Sequence, residues 1–357
     1  MAELCHVDIV DKYICILNEH RRNEDLRNAD CVYVHMCSQG LDTHISLENY
    51  LVPLFVKCGN LSHAQQIFKR LRCPNEHSWT SLIDGYVGCG NLHHAFNLHM
   101  KMQEECVDSS VCTSLCLLKG CNQFGCIDIG MDVHGHVVRE GYDGDIFVAS
   151  SLMDMYSTSG FLEEAQEVFD EILIRDIAMW NVLISGYVNH GLGREALLCL
   201  EKLESEGLSP SEITIVSILK ACSSIHDLKK GQRIFNEAIK KGFDGNSFVG
   251  NTLVDMFAGF GLVEEAQCVF DKLPVKDMVT WNALISGYAD YGFSHEALDC
   301  FVKLNSETDL QPDSITFYSC LKACGNLGAI EMGQQLHTEI IKQELEISTY
   351  IGSAFVY

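Results

Sequence analysis

Hydrophobic residues recur along the chain with the spacing of one face of an α-helix. In the segment 278–288, Trp281, Leu284, Ile285 and Tyr288 stand at i, i+3, i+4 and i+7, which predicts an amphipathic helix. The segment recurs twice upstream, and consecutive tryptophans of the chain lie 101 residues apart: Trp79, Trp180 and Trp281. A long fixed period of this kind is typical of proteins built by stacking structural repeats.

Each long period divides into three shorter units, and each unit has the pattern of a helical hairpin. In the unit 247–277, the pair Gly259 and Gly261 should end the first helix, because glycine tolerates left-handed and turn dihedrals. Pro274 should close the unit after the second helix. The residues expected to be buried here are Leu253, Val254, Phe257, Ala266, Val269, Phe270 and Leu273.

The hairpin pattern continues from residue 10 to the end of the chain, after an N-terminal segment at 1–9. The predicted units are 10–44, 45–75, 76–110, 111–145, 146–176, 177–211, 212–246, 247–277, 278–313, 314–348 and a partial unit at 349–357. The expected fold is all-α, a right-handed α-solenoid superhelix of about ten helix-turn-helix hairpins with the first helices on the concave face. Because the last unit stops inside a helix, a C-terminal truncation is expected.

Composition agrees with a folded protein, but the charge raises a question about partners. The chain is 47% hydrophobic and 21% charged, and we find no membrane-spanning run, secretory signal or transit peptide in it. The formal net charge is −24, whereas a nucleic-acid-binding protein usually brings positive charge to the phosphates.

Cysteine usage indicates neither a metal site nor a disulfide framework. The chain has 18 cysteines, and no two of them form a C-x-x-C pair. Several recur at one position of the helical pattern, at the end of an L-K-x-C motif: Cys121, Cys222 and Cys324. We therefore expect buried free thiols in a reducing compartment, and no metal or other cofactor.

Four motifs resemble the consensus of pentatricopeptide repeat (PPR) proteins, in particular the plant PLS subclass with alternating P, L and S repeats. They are V-T-W-N-A-L-I-S-G-Y, F-V-G-N-T-L-V-D-M-F, E-E-A-Q-x-V-F-D and I-L-K-A-C. In this scheme the units that start at residues 10, 111, 212 and 314 are L repeats, those at 45, 146, 247 and 349 are S repeats, and those at 76, 177 and 278 are P repeats. The deaminase-like E/DYW extension of many such proteins is not recognised.

The resemblance implies binding of single-stranded RNA, at roughly one base per P or S repeat, through the fifth and the last residue of each repeat. The carried-over pairs are Asn49 with Asn75, Thr80 with Ser110, Ser150 with Asp176, Asn181 with Ser211, Asn251 with Asp277, and Asn282 with Asp313. Second positions of the family wedge between bases, and here Phe147, Phe248 and Val279 suit stacking. Ser46, His77 and Ala178 suit it less.

By the family code these pairs predict the RNA 5′-n-C-A-n-G-C-n-U-U-n-3′, bound parallel to the chain. The L repeats fit the code poorly and are left unread: Ile14 with His44, Leu115 with Asp145, Val216 with Asn246, and Tyr318 with Ser348. Any single polar residue at these places could instead serve a helix end or a turn. The tryptophans are expected to pack in the core.

No catalytic residues are predicted. A zinc deaminase needs H-x-E with a downstream C-x-x-C, and the H-x-E at His337–Glu339 lies in the predicted second helix of an L repeat with no such partner. We therefore expect a non-enzymatic RNA adaptor for organellar RNA editing or processing. Its expected partners are single-stranded RNA and a separate deaminase-type or other RNA-processing protein, with no membrane and no DNA.

A protein-binding α-solenoid scaffold, or a truncated inactive relic, is the alternative that the acidic charge favours. Few lysine or arginine contacts to phosphate would also make the salt dependence of RNA binding weak. The resemblance implies a mitochondrial or chloroplast location. The polar fifth position in every P and S repeat favours RNA, because a protein scaffold has no need of that stripe.

Overall fold

The computed structural model describes residues 12–17, 19, 26–40, 45–243 and 245–343, and these residues form α-helices joined by short turns. The predicted segment 1–9 and the partial unit 349–357 lie outside the described residues, as do His44 and Ser348. The described chain divides into two compact units, Met1–Arg175 and Asp176–Tyr357. None of the described helices is long and apolar enough to cross a membrane.

The helices of the two units have similar lengths and follow one another in hairpins. In the first unit they are α1 (Leu26–Ser38), α2 (Ile45–Lys57), α3 (Leu61–Phe68), α4 (Glu76–Gly88), α5 (Leu92–Glu104), α6 (Val111–Phe124), α7 (Ile127–Glu140), α8 (Ile146–Ser159) and α9 (Leu162–Glu171). In the second unit they are α10 (Ile177–Asn189), α11 (Gly193–Ser205), α12 (Glu212–Ser224), α13 (Leu228–Lys240), α14 (Ser247–Gly259), α15 (Val263–Lys272), α16 (Met278–Asp290), α17 (Ser294–Glu307), α18 (Ser314–Leu327) and α19 (Ile330–Lys342).

Within each unit, a first helix packs against its own second helix and against the first helix of the next hairpin. In the second unit, for example, α14 contacts α15 and also α16, and α16 contacts α17 and α18. The even-numbered helices α2 to α18 are the first helices of their hairpins. This packing places residues of consecutive first helices side by side, which the candidate site requires.

The core consists of the residues that the helical period selects. All three tryptophans are buried, and Trp281 packs edge-on against Phe270 with ring centroids 4.7 Å apart. The seven residues of the 247–277 unit that were expected to be buried are all at most 8% exposed. Gly261 follows α14 with a φ of +74°, so the predicted glycine stop is confirmed.

Gly287 lets two first helices approach closely. A Cβ added to this glycine of α16 would lie 2.5 Å from the Cβ of Ala258 on α14. No side chain fits at that distance without moving backbone, because Ala258 itself has no flexible side chain to displace. The glycine of this S-G-Y motif therefore serves helix packing.

The L-K-x-C cysteines are buried as expected, while other cysteines are not. Cys121, Cys222 and Cys324 are at most 5% exposed, and burial raises the pKa of the Cys222 thiol to about 11. Cysteines of the described region that are exposed include Cys89, Cys112 and Cys268. The expectation of buried thiols thus applies to the core positions only. All cysteines in the described residues are free.

Candidate nucleic-acid interface

The predicted fifth and last residues of a repeat meet because of the way first helices begin. The fifth residue lies one turn inside a first helix, and the last residue is the N-cap of the next first helix. Asp313 caps α18 by accepting from the backbone N–H of Thr316 at 3.0 Å. Its other oxygen, Oδ2, accepts from Nδ2 of Asn282 on α16 at 2.9 Å. The two predicted residues therefore form one hydrogen-bonded site.

Two more predicted pairs of the second unit have the same geometry. Nδ2 of Asn251 donates to both carboxylate oxygens of Asp277, at 3.0 and 2.9 Å. Nδ2 of Asn181 donates to the hydroxyl oxygen of Ser211 at 3.1 Å. Asp277 and Ser211 are N-caps as well, of α16 and α12. The capping role that the sequence offered as an alternative is real, and it coexists with pairing to the fifth residue.

A buried hydroxyl that was not among the predicted site residues completes each of these three sites. The third residue of the following first helix donates its hydroxyl to Oδ1 of the asparagine. The donors are Thr214 to Asn181 at 2.6 Å, Thr280 to Asn251 at 2.5 Å and Thr316 to Asn282 at 2.6 Å. All three threonines are 0% exposed.

The hydroxyl and the carboxylate together determine the orientation of the carboxamide. An ionised carboxylate can only accept hydrogen bonds, so the Asn282 atom that faces Asp313 must be Nδ2. Oδ1 then faces Thr316, whose hydroxyl donates to it. One N–H of the amide and one lone pair of Oδ1 then make no hydrogen bond to the described residues.

The hydroxyls have a signal in the sequence. Where the fifth residue is asparagine or threonine, the third residue of the next first helix is serine or threonine. After the aliphatic fifth residues Leu115 and Val216, valine stands at that position instead, at Val148 and Val249. Ser150 departs from this rule, because Met179 occupies the third position after it.

The asparagine of the 45–75 repeat is held differently. Asn49 is only 8% exposed, and its Oδ1 accepts from the backbone N–H of Asn75 at 3.0 Å and from the hydroxyl of Ser78 at 2.6 Å. Its Nδ2 donates to the backbone carbonyl of Cys73 at 3.3 Å. The predicted pair is adjacent, but Asn49 bonds the backbone of its partner and not the side chain.

In the 76–110 repeat, the two predicted hydroxyls meet at a carboxylate. Oε1 of Glu76 accepts from Ser110 at 2.5 Å and from Thr80 at 3.2 Å. Thr80 also bonds the buried Thr113, with the two hydroxyl oxygens 2.6 Å apart. Glu76 was not a predicted site residue.

The remaining pair, Ser150 and Asp176, falls in different units. Ser150 is half-buried on α8 of the first unit. Asp176 caps α10 of the second unit, where its carboxylate accepts from the backbone N–H of Met179 at 2.9 Å. Each residue thus occupies the same helical position as its counterparts in the other repeats.

The predicted stacking residues are exposed apolar side chains beside these sites. Phe147, Phe248 and Val279 are 70%, 79% and 64% exposed. Two second-position residues of L repeats, Ile213 and Ile315, are exposed as well, although they were not predicted stacking residues. In the second unit a groove of 680 Å³ is lined by Val279 and Ile315 together with the Asn282–Asp313 pair.

Hydrogen bonds keep Asp277 ionised. Burial raises the pKa of this carboxyl, but bonds from Thr280, Asn251 and the backbone N–H of Val279 outweigh burial and leave its pKa below its ordinary value. Asp277 is therefore an acceptor, not a donor, at neutral pH.

The H-x-E at His337–Glu339 lies inside α19, and no three His, Cys, Asp or Glu residues of the described chain could hold a metal ion.

Family models match the chain in several places. A model described as the PPR repeat family matches residues 175–224. A model of the single PPR repeat matches residues 77–107, 147–177, 251–278 and 279–307.

Curated relatives from Arabidopsis thaliana match over most of the chain. Pentatricopeptide repeat-containing protein At2g33680 is 32% identical over 86% of this chain and 42% of its own length. The chloroplastic protein At4g18520 is 30% identical over 97% of this chain and 56% of its own length. The mitochondrial protein At2g03380 is 33% identical over 93% of this chain and 48% of its own length. The chain spans about half the length of these relatives.

Solved structures show the same fold. The crystal structure of the pentatricopeptide repeat protein PPR10 in complex with an 18-nucleotide psaJ RNA element matches with a TM-score of 0.68 and 19% identity, over 86% of this chain and 46% of that one. The PPR10 structure from maize matches with a TM-score of 0.50 and 16% identity, over 93% of this chain and 58% of that one. The predicted fold class, an α-solenoid of helical hairpins, is confirmed. PPR repeat models thus match several segments of the chain, and most of the chain is similar to plant pentatricopeptide repeat-containing proteins.

Proposed function

We propose that the chain is a sequence-specific adaptor for single-stranded RNA. The observation that carries the proposal is the set of three sites in the second unit, in which a threonine hydroxyl and a capping residue orient an asparagine carboxamide. A helix cap alone needs only the last residue of the repeat. The additional asparagine, aligned with donor and acceptor atoms free, is what recognition of a base edge requires.

The chemistry of the last residue distinguishes the sites from one another. Asp277 accepts only, so it suits the N3–H of uracil, whereas the Ser211 hydroxyl can donate to N3 of cytosine. Asn282 with Asp313 has the same residue types as Asn251 with Asp277 and suits uracil. The expected RNA keeps the form 5′-n-C-A-n-G-C-n-U-U-n-3′, with the first C weakly specified because Asn49 is held by backbone atoms.

The proposal extends to the working context of the protein. We infer PLS-type organisation from the alternating repeat lengths, and a role in organellar RNA editing or processing with a separate deaminase-type or other RNA-processing protein. The support for an organelle comes from relatives that are named chloroplastic and mitochondrial. The proposed base-contacting residues are the six predicted pairs and the three exposed stacking residues.

Lysines on the first helices can supply local positive charge for phosphates, although the net charge of the chain is negative. The L repeats at 111–145, 212–246 and 314–348 have an exposed lysine four residues after the fifth residue: Lys119 on α6, Lys220 on α12 and Lys322 on α18. Residues at i and i+4 share a helix face, so these lysines lie on the face that presents fifth residues. Lys322 bonds Asp290 at 2.8 Å, but an exposed ion pair of this kind is weak and can yield to a phosphate.

The test of the proposed function is fluorescence anisotropy with the RNA CCAUGCAUUA and a scrambled control of equal composition, at low and physiological salt. We expect the matched RNA to bind more tightly at both salt concentrations, because base contacts do not depend on counterion release. Equal binding of the two RNAs would contradict sequence-specific recognition. Absence of binding to either would favour the protein scaffold.

The lysines give a second expected result. The variant Lys119→Gln/Lys220→Gln/Lys322→Gln should lower the affinity for the matched and the scrambled RNA by the same factor, because phosphate contacts carry no base information. The slope of log affinity against log salt should fall by about 0.7 for each lysine removed.

The variant Lys229→Gln/Lys240→Gln is the control for general charge. Both residues are exposed on α13, the second helix of its hairpin. This control should leave the salt slope nearly unchanged. A slope that falls equally per lysine in the two variants would show that the lysines act through net charge and not through local contacts.

A further inference from the structure

The 76–110 repeat differs from the other P repeats in the residue that begins its first helix. Glu76 stands there, whereas the corresponding residues of the next two P repeats are Ile177 and Met278. Its Oε1 accepts from Ser110 at 2.5 Å and from Thr80 at 3.2 Å, which are the last and fifth residues of the repeat. A carboxylate therefore lies between the two residues proposed to contact the base.

The hydrogen bonds leave this site without a donor. The hydroxyls of Thr80 and Ser110 have one hydrogen each: that of Ser110 is directed at Glu76, and that of Thr80 at Glu76 or at Thr113. Thr113, whose hydroxyl oxygen lies 2.6 Å from that of Thr80, is buried, so neither arrangement leaves a hydroxyl hydrogen for a ligand. Oε2 of Glu76 accepts no hydrogen bond from the described residues. What faces a ligand is therefore a set of acceptors, with the carboxylate at its centre.

We propose that Glu76 is a specificity-determining residue that makes the 76–110 repeat select guanine. On its Watson–Crick edge guanine presents two adjacent donors, N1–H and N2–H, and a carboxylate with a neighbouring hydroxyl oxygen can accept both. Adenine presents a donor beside the N1 acceptor, and uracil presents one donor between two carbonyl acceptors. The adenine N1 and the uracil carbonyl oxygens would face lone pairs of the site. This inference rests on the proposed RNA-binding function, and it replaces the A that the threonine–serine pair alone would specify.

The glutamate of one L repeat provides a matched control. Glu212 also begins a first helix and also bonds the last residue of its repeat, because its Oε2 accepts from Nδ2 of Asn246 at 2.7 Å. The fifth residue of that repeat is Val216, which can neither donate to a base nor accept from it. Glu212→Gln and Glu76→Gln thus remove the same charge from equivalent helix positions. Only Glu76 lies beside a polar fifth residue, Thr80.

The experiment compares the RNAs CCGUGCAUUA, CCAUGCAUUA and CCUUGCAUUA, which differ at the third nucleotide, with the native chain and both variants. We expect the native chain to bind the G form about tenfold more tightly than the A form, with the U form weakest. Glu76→Gln should remove the preference for G over A, since the glutamine amide can donate to adenine N1. Glu212→Gln should raise the affinity for all three RNAs alike and keep their order.

Two results would overturn the assignment of Glu76. One is a native chain that prefers A at the third nucleotide, or none of the three, while it still discriminates U from C at the eighth nucleotide. The other is a Glu76→Gln variant that keeps the native order of the three RNAs. In both cases the proposed function stands without Glu76. A chain that binds none of the RNAs overturns the proposed function and this inference together.

Discussion

The Asp277→Ser variant is expected to change its preferred base at the eighth nucleotide from U to C. Oδ2 of Asp277 accepts only from Asn251 among the described residues, so it has a lone pair for the N3–H of uracil. Serine can donate to the N3 acceptor of cytosine instead. The native chain should favour the U form, and the variant the C form, each by about 1–3 kcal/mol of binding free energy. Anisotropy with CCAUGCAUUA and CCAUGCACUA measures it.

The reciprocal variant, Ser211→Asp, should change the preference at the sixth nucleotide from C to U. Both substitutions exchange one good N-cap residue for another, so helices α16 and α12 should begin at the same residues as before. Circular dichroism and the urea midpoint check that the fold is retained. If either variant binds both RNAs of its test pair as the native chain does, the last residue of the repeat does not determine the base.

The fold was predictable because the repeat pattern is redundant. The apolar period of a single helix fits many all-α folds, but equal gaps between Trp79, Trp180 and Trp281 indicate copies of one packing unit. Each copy must bury the same face, so the buried residues of the 247–277 unit could be predicted correctly. What the period cannot reveal is how closely neighbouring helices approach. That distance depends on contacts such as Gly287 against Ala258.

The candidate site was predictable in its residue types and not in its hydrogen bonds. A family pattern identifies Asn282 and Asp313 as a pair, and the structure brings them to 2.9 Å. The family pattern does not identify Thr316, because this hydroxyl belongs to the next hairpin and is buried. Nor does it identify Glu76 at the Thr80–Ser110 site or the inward-held Asn49. These arrangements depend on which polar atoms are left without a partner after the helices pack.

The Thr316→Val variant is expected to lose the preference for U at the ninth nucleotide while it remains folded. Valine has a similar shape without the hydroxyl, so Oδ1 of Asn282 loses its donor at a site where Asn282 is only 8% exposed. The backbone N–H of Asp313, which donates to the same hydroxyl at 3.2 Å, loses its acceptor. An unsatisfied buried group costs about 1–3 kcal/mol, which should lower the urea midpoint.

Loss of specificity at the ninth nucleotide would show that Thr316 orients Asn282 and does not only stabilise the fold. Without the hydroxyl, the Asn282 carboxamide is held only through its bond to Asp313 and can tilt away from the base, so CCAUGCAUUA and CCAUGCAUCA should bind alike. Thr316→Ser keeps a hydroxyl and should keep most of the preference for U. The eighth nucleotide should stay specific in both variants, since Thr280 orients Asn251 independently. If Thr316→Val retains the full preference for U, then the asparagine is oriented by Asp313 alone and the hydroxyl serves only the helix cap.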